Sequence, residues 1–353
     1  MLPRGKPYGS ILFMVGGHKY MKIQNILTIF RKLAPEENQS SWDNSGVQIA
    51  GAAQDADKVA VTLEPTPEAV ARCLEWGAQA VITHHPLYME PKAPDAEGMY
   101  LDVLRRVMGA GAWLYSAHTS LDTRPGGPAF WLGQELGLEN GRLLEVETGR
   151  APVEASFYTE ESITREAADI WANHDGVHSV SQSRTGEVRL VCDEPHWNEV
   201  ADRIEFSLGK RPLFYLRSLT APRSEVGFGE AGDLPQPMGW DEFLARVDGL
   251  VKRDALLISG PQPETVSRVA YCGGSGSSLI DKAAAAGADV FITGDMKYHP
   301  AVETPVCVID AGHFSLEEEM MRRFGAELDR ELDGVEVRFF EGVDPFRVYA
   351  RKK

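Results

Sequence analysis

Cysteine is scarce in this sequence. Its four cysteines, at positions 73, 192, 272 and 307, lie far apart and form no C-x-x-C pair. This spacing argues against a disulfide framework and against a zinc knuckle, so we expect four free thiols. Long hydrophobic runs are also missing, since Ile11–Val15 is far shorter than the ~20 residues of a membrane span. We therefore expect a cytoplasmic protein with no membrane partner.

Positive charge is in deficit as well. The 353 residues include 36 Lys and Arg against 52 Asp and Glu, a net charge of −16. Affinity for nucleic acid depends on Lys and Arg neutralising phosphates, so this balance argues against a nucleic-acid partner. The 43% content of hydrophobic residues is too high for a disordered chain. The length predicts two or three domains.

Two stretches of the chain alternate short β-branched runs with helical patterns, which is typical of parallel βαβ units. Predicted strands are Lys58–Leu63, Gln79–Thr83, Ala112–Ser116, Arg268–Cys272, Ala288–Thr293 and Val306–Asp310. Predicted helices are Pro67–Trp76, Gly98–Gly109, Gly276–Ala286 and Ser315–Leu332.

The two stretches also match each other. Val59-Ala60 and Ile82-Thr83 recur as Val269-Ala270 and Ile292-Thr293, at one offset of 210 residues. A second match pairs the H-x-S-L-D run that starts at His118 with the H-x-S-L-E run that starts at His313. We expect an α/β fold of two related lobes that face each other across a cleft.

The segment between the two stretches has a different pattern. Its predicted elements follow a β-α-β-β-α-β order, which is typical of a ferredoxin-like α+β domain. Gly227–Gly239 is rich in glycine and proline and predicts a turn-rich return to the second lobe. The predicted organisation is an N-terminal extension (1–21), a first lobe (22–144), an inserted domain (145–225) and a second lobe (226–353).

Histidines and carboxylates follow the predicted strands. In parallel sheets the carboxyl ends of strands lie along one edge, so we expect these side chains to meet there. Imidazole with carboxylate is a ligand set for Zn²⁺, Fe²⁺ or Mn²⁺. One catalytic zinc needs about three protein ligands, and a larger set favours two divalent ions that share a carboxylate. The candidates are His84, His85, His118, Asp122, His313 and Glu317. The alternative is that one or two of them, His118 first, are hydrogen-bond partners of the ligands.

Other features leave alternatives open. Trp42-Asp43-Asn44 is either a plain turn or a contributor to the cleft. Gly273–Gly276 is either a phosphate cradle or a tight turn, and it lacks the lysine of a P-loop. Asp295 and His299 are candidates for contact with the metal ligands or with substrate. The histidines at 174, 178 and 196 are predicted to lie on the surface of the insert.

Taken together, these motifs resemble the NGG-one-interacting-factor-three-like proteins, which also carry the names GTP cyclohydrolase 1 type 2 homologue and dinuclear metal-centre protein. The resemblance covers about residues 22–144 and 227–348. It rests on Trp42–Gly46, His84–Leu87, His118–Asp122, Gly273–Gly276, Thr293–His299, Asp310–Glu317 and Asp344–Phe346.

The resemblance implies a site and an assembly. His84, Asp122 and Glu317 would hold one ion, His85, His313 and Glu317 the other, with Glu317 as the bridge. The insert would be PII-like and the assembly a homohexamer, a trimer of dimers. Glu64 stands where the family more often has Asp.

The activity that follows is metal-dependent hydrolysis of a small molecule. It would act on a nucleotide or a related C–N or phosphoester substrate, with a metal-bridging water as nucleophile. His118 and His299 are the candidate catalytic acid/base residues. The alternative is a hexameric assembly that stores, delivers or senses metal ions without turnover.

Overall fold

The computed structural model describes residues 13–15, 18–150, 152–160, 162–174, 176–220 and 224–349. The chain divides into two compact units. The larger unit contains Met1–Glu145 and Gly227–Lys353, and the smaller unit contains Val146–Val226.

Up to residue 150 the described elements are mostly short and alternate between strand and helix. They are β1 (Phe13–Val15), β2 (His18–Lys22), α1 (Ile23–Leu33), β3 (Gly46–Ile49), β4 (Asp55–Ala56), β5 (Lys58–Thr62), α2 (Pro67–Glu75), β6 (Ala80–Thr83), α3 (Met99–Ala110), β7 (Trp113–Ser116), α4 (Thr119–Asp122), α5 (Trp131–Leu136) and β8 (Glu139–Arg150).

Four strands and two α-helices lie wholly within the described residues of the smaller unit. They are β9 (Pro152–Tyr158), α6 (Arg165–Ala172), β10 (Val177–Gln182), β11 (Glu187–Asp193), α7 (Trp197–Leu208) and β12 (Tyr215–Ser218). Neighbouring strands pair antiparallel in the order β10-β11-β9-β12. Trp171, Phe157 and Ile204 are buried in its own hydrophobic core.

The return to the larger unit begins with a long strand. The elements are β13 (Ser224–Gly239), α8 (Trp240–Leu250), β14 (Leu257–Ser259), β15 (Thr265–Ser275), α9 (Ile280–Ala285), β16 (Val290–Gly294), α10 (Tyr298–Glu303), β17 (Cys307–Asp310), α11 (His313–Glu331) and β18 (Glu336–Phe339). The predicted turn-rich return over Gly227–Gly239 is therefore wrong. These residues pair antiparallel with β15, with an irregularity between Asp233 and Met238 that accommodates Pro235 and Pro237.

Two large sheets organise the larger unit, which also has a small sheet of β1, β2 and β4. One has the strand order β18-β5-β6-β7-β3 and the other β14-β17-β16-β15-β13-β8. The pairs β5–β6 and β6–β7 are parallel, as are β15–β16 and β16–β17. Val59 pairs with Ala80, and Val269 pairs with Val290, so the offset of 210 residues recurs in the register of the sheets.

Helix α11 packs against strands of both sheets. Its buried face carries Leu316, Met320, Phe324 and Leu328 at the three- and four-residue spacing of an amphipathic helix. The same core includes Val61 and Ile82 from one sheet and Val269 and Ile292 from the other. The first turn of α11 is thereby fixed relative to the strand ends of both sheets.

Membrane insertion has no support in the described helices. None of them combines the length and the apolar character that crossing a bilayer requires. All four cysteines are free, as the sequence predicts.

Candidate metal centre

The two adjacent histidines follow β6, at the carboxyl end of a fully buried strand. The backbone N–H groups of His84 and His85 both donate to the carbonyl of Leu63, the residue after β5. The hydroxyl of Ser116, which ends β7, donates to the carbonyl of His84. The strand ends therefore hold the backbone of the pair on both sides, while both rings project beyond the sheet.

His84 is completely buried and one of its ring nitrogens has no hydrogen-bond partner. Its Nδ1 lies 2.8 Å from the carbonyl oxygen of Ala117, so Nδ1 carries the proton and donates. Its Nε2 lies 3.7 Å from Asp122 Oδ1 and 3.6 Å from Glu317 Oε1, and makes no hydrogen bond to either. A buried nitrogen lone pair thus faces two carboxylates across a gap.

His85 and His313 repeat this arrangement with carboxylates in place of the carbonyl. His85 Nδ1 lies 2.5 Å from Glu64 Oε1, and His313 Nδ1 lies 2.7 Å from Asp295 Oδ2. Their Nε2 atoms lie 3.1 and 2.9 Å from Glu317 Oε2, and 3.4 Å from each other. A carboxylate on the far nitrogen fixes the tautomer and orientation of an imidazole that ligates a metal.

Glu317 is the residue on which the three rings converge. Oε1 faces His84, whereas Oε2 faces His85 and His313. His313 and Glu317 lie four residues apart on one face of α11. Across from them Gly274 has a positive φ of 62°, and a Cβ at this position would overlap Glu317 Oε1. Only a glycine leaves room for the carboxylate here.

The charges in this cluster are strongly coupled. Burial alone would raise the pKa of Glu317, but His84, His313 and His85 outweigh burial and hold the pKa well below its usual range. Burial lowers the pKa of His85 and His313, yet the neighbouring carboxylates reverse this and raise it to about 10 and about 9. The cluster therefore attracts positive charge, either as protons on the rings or as a bound cation.

A divalent cation fits these residues better than protons do. Two protonated rings would point N–H groups at each other across the 3.4 Å between His85 and His313. With the ring protons on Nδ1, buried His84 Nε2 and Glu317 Oε2 face no hydrogen-bond donor. A cation ligated by the Nε2 lone pairs and the Glu317 oxygens would satisfy all of these atoms together. His85, His313 and Glu317 form one group with metal-ligand spacing, and His84, His85 and His118 form another.

His118 lies beside the cluster with one nitrogen already engaged. Its Nδ1 lies 2.6 Å from Asp43 Oδ1, and its ring centroid lies 5.1 Å from that of His84. The other oxygen of Asp43 accepts hydrogen bonds from the N–H and hydroxyl of Thr119. Burial would raise the pKa of Asp43, but these partners, His118 first among them, hold it well below its usual range. Asp43 is therefore an ionised support for His118.

The structure resolves two of the open alternatives. The Asp43 turn contributes to the histidine cluster by holding His118. Gly273–Gly276 forms a close approach: the N–H of Gly276 donates to the hydroxyl of Thr293, and Gly274 makes room for Glu317. Asp295, a candidate for contact with the metal ligands, holds His313.

Other expectations need correction or stay open. The register of the two sheets makes Thr119 the structural equivalent of His313, and each of these residues is the first of its helix. The sequence match of His118 with His313 is therefore displaced by one residue. His299 is exposed on α10, and its role in proton transfer stays a prediction. Glu64 was missed as a partner of His85, although its position just after β5 placed it at the same sheet edge.

Comparison with known proteins agrees with this architecture. The profile of the DUF34/NIF3 family (NGG1p interacting factor 3) matches residues 21–345. The chain belongs to the NIF3 family. A relative from Staphylococcus epidermidis, named GTP cyclohydrolase 1 type 2 homolog, is 26% identical over 364 residues, with 94% of this chain and 97% of the relative covered. A relative from Mycobacterium tuberculosis with the same name is 26% identical and covers 87% of this chain and 93% of the relative.

Solved structures of the family share the fold. A Bacillus cereus protein related to NIF3 superposes with a TM-score of 0.80 at 23% identity, with 92% of this chain and 98% of the other covered. A Staphylococcus aureus protein superposes with a TM-score of 0.71 at 24% identity, with 93% and 99% covered. These matches support the fold of this chain.

The carboxylates behind the rings generate a testable prediction. Asp295→Asn keeps the size of the side chain and suits the positive φ of 54° at this position, but removes the charge that orients His313. We expect zinc affinity to fall about 10–100-fold, measured by competition with a chromophoric chelator. Asp281→Asn, at an exposed position on α9, is the matched control and should bind zinc as the wild type does. Equal affinity in all three proteins would contradict the role of Asp295.

Proposed function

We propose that this NIF3 protein is a metal-dependent hydrolase whose centre holds two divalent ions, Zn²⁺, Fe²⁺ or Mn²⁺. The observation that carries the proposal is the orientation of Glu317, whose two oxygens face two different sets of imidazole nitrogens. His84, Asp122 and Glu317 would hold one ion, and His85, His313 and Glu317 the other. Carboxylates bridge metal pairs in this way in hydrolytic sites.

The protein's own residues have distinct tasks in this proposal. When bound, a pair of divalent ions supplies Lewis acidity and lowers the pKa of a nearby water. Glu64 and Asp295 fix the ring orientations of His85 and His313, so that binding of the ions requires little rearrangement. Burial of Glu317 and His84 keeps bulk water from competing for the same oxygens and nitrogens.

In this proposal His118 transfers the proton. Because Asp43 accepts from Nδ1, the nitrogen left for chemistry is Nε2. In hydrolysis, Nε2 takes a proton from the attacking water and returns it to the leaving nitrogen or oxygen of the substrate. Asp43 stabilises the imidazolium that exists between the two transfers. The backbone N–H of His118 donates to the hydroxyl of Ser45, and this hydrogen bond also helps to hold His118 in position.

A purine nucleotide is the substrate class we favour. Trp42 is 62% exposed, and its ring lies 5.9 Å from that of His118 in an edge-to-face arrangement. An exposed indole next to a reactive site offers a flat surface on which a base can stack. The name GTP cyclohydrolase 1 type 2 homolog of the relatives agrees with such a substrate.

We also propose that the two sheets belong to two related lobes and that the smaller unit is a ferredoxin-like, PII-like module. The recurring register of the parallel strands supports the first statement. The β-α-β-β-α-β order and the antiparallel strand order β10-β11-β9-β12 support the second. An experimental structure with another strand order in residues 146–226 would contradict it.

The central test is hydrolysis by metal-loaded protein. We expect zinc- or manganese-loaded wild type to turn over GTP, and the release of formate or phosphate measures this turnover. His85→Asn should lower the rate at least about 100-fold, because one of the two rings that face Glu317 Oε2 is removed. Asp281→Asn should match the wild type. Absence of turnover of any purine nucleotide, or equal rates in wild type and His85→Asn, would contradict the proposal.

The proton-transfer role generates a separate prediction. We expect His118→Gln to lower kcat about 10²–10⁴-fold with little change in KM, whereas His299→Gln tests the second candidate at its exposed position. The pH–rate profile should lose one limb in His118→Gln only. If only His299→Gln lost kcat to this extent, together with one limb of the pH–rate profile, proton transfer would be assigned to His299 on α10.

The stacking role of Trp42 can be tested through KM. Trp42→Ala should raise KM for a purine nucleotide about tenfold, as expected for a stacking contact of about 1–3 kcal/mol. The value of kcat should change less than about threefold. Trp42→Phe keeps an aromatic face and should recover most of the affinity. An unchanged KM in Trp42→Ala would exclude stacking on this side chain.

Metal handling is the second candidate function. Its support is access: the side chains of His85 and His313 are 20% and 31% exposed, so one side of the cluster is open to exchange. Zinc that exchanges within seconds and reaches an apo-enzyme, together with absent turnover, favours handling. Zinc that stays bound through extended dialysis argues against delivery and favours catalysis.

A further inference from the structure

A second group of metal-ligand residues lies in the smaller unit and has no part in the Glu317 cluster. It consists of His174, His196 and Glu199. His174 follows the end of α6, His196 closes the 3₁₀ turn Glu194–His196, and Glu199 lies in the first turn of α7. The sequence predicts surface positions for His174 and His196, and for His174 this is wrong, because the residue is only 8% exposed.

The three side chains are close enough to share one ion. One ligand atom from each lies within 4.8 Å of the other two. His174 Nε2 is 3.1 Å from Glu199 Oε2, and the His174 and His196 ring centroids are 5.7 Å apart. A hydrogen bond between His174 and Glu199 accounts for one contact. It does not account for the second imidazole, that of His196, whose ligand atom lies within 4.8 Å of both.

The backbone around the group is built to fit it closely. Gly176 has a positive φ of 81°, and a Cβ at this position would overlap the ring of His196. The N–H of Asp193 donates to the carbonyl of Gly176, which ties this turn to the strand that leads into His196. The turn after α6 and the turn before α7 are therefore fixed against each other, and both carry a ligand.

The degree of exposure changes across the group. The side chain of His174 is 5% exposed and that of Glu199 is 72% exposed. His174 is thus buried in the smaller unit, while the side of the group formed by Glu199 faces solvent. Three protein ligands with an open side leave room for water as the fourth ligand of a tetrahedral zinc.

We propose that His174, His196 and Glu199 form a separate binding site for one Zn²⁺ ion in the smaller unit. Two imidazoles and one carboxylate are an established zinc ligand set. The carboxylate also offsets the positive end of α7, which by itself disfavours a cation. A bound ion would tie the end of α6 to the start of α7, so the smaller unit would be stabilised by zinc independently of the Glu317 cluster.

The zinc bound at this site can be measured in full-length protein whose Glu317 cluster has been disrupted. In a His85→Ala, Glu317→Gln background, we expect one zinc per chain after dialysis against buffered micromolar zinc, measured by elemental analysis. Adding His196→Asn should lower this to below 0.2 per chain, and adding Glu199→Gln should weaken binding at least tenfold. The side chain of Glu199 is largely exposed, so Glu199→Gln should keep the fold, as checked by circular dichroism.

His178→Asn is the matched control. His178 lies in the same unit and pairs with Asp193 at 2.8 Å, outside the group. The His178→Asn variant should keep one zinc per chain. When cobalt replaces zinc, His178→Asn should show the absorption bands of a tetrahedral site, and His196→Asn should not. A background protein that binds no zinc, or zinc that persists unchanged in His196→Asn, would overturn the proposal. Neither result depends on hydrolytic activity.

Discussion

The candidate metal centre of the larger unit is arranged around the carboxylate of Glu317. This carboxylate is buried, it lies within 3.6 Å of three imidazole Nε2 atoms, and it points a different oxygen at each of two groups of rings. Each ring directs its Nδ1 proton to another acceptor: the carbonyl of Ala117, the carboxylate of Glu64 or that of Asp295. Such a set of lone pairs facing a carboxylate is costly to bury unless positive charge is bound there.

The fold supplies this arrangement through strand ends and one helix. Parallel pairing brings the carboxyl ends of β6 and β7 together in one sheet and those of β16 and β17 together in the other. Helix α11 lies against both sheets, and its first turn presents His313 and Glu317 on one face. Gly274 permits the close approach that the carboxylate needs. Rigid elements thus position every ring, which is the condition for a preorganised site.

Much of the site could be predicted from residue order. Polar residues that follow β-branched runs belong at the carboxyl ends of parallel strands, and this rule placed His84, His85 and His313 near each other. What it could not predict depends on tertiary contacts. The one-residue displacement between His118 and His313 follows from where each helix begins. The strand at Ser224–Gly239 overrides its glycine and proline content by pairing with β15. Burial of His174 depends on how two turns of the smaller unit meet, which no local pattern in the sequence reveals.

Whether Glu317 joins two ions is tested most directly by element-specific anomalous X-ray scattering from crystals of protein purified without added metal. We expect two anomalous peaks in the larger unit, one between His84, Asp122 and Glu317 and the other between His85, His313 and Glu317. A single peak that Glu317 does not contact, or no peak at this position after soaking with zinc, iron and manganese in turn, would contradict this role of Glu317.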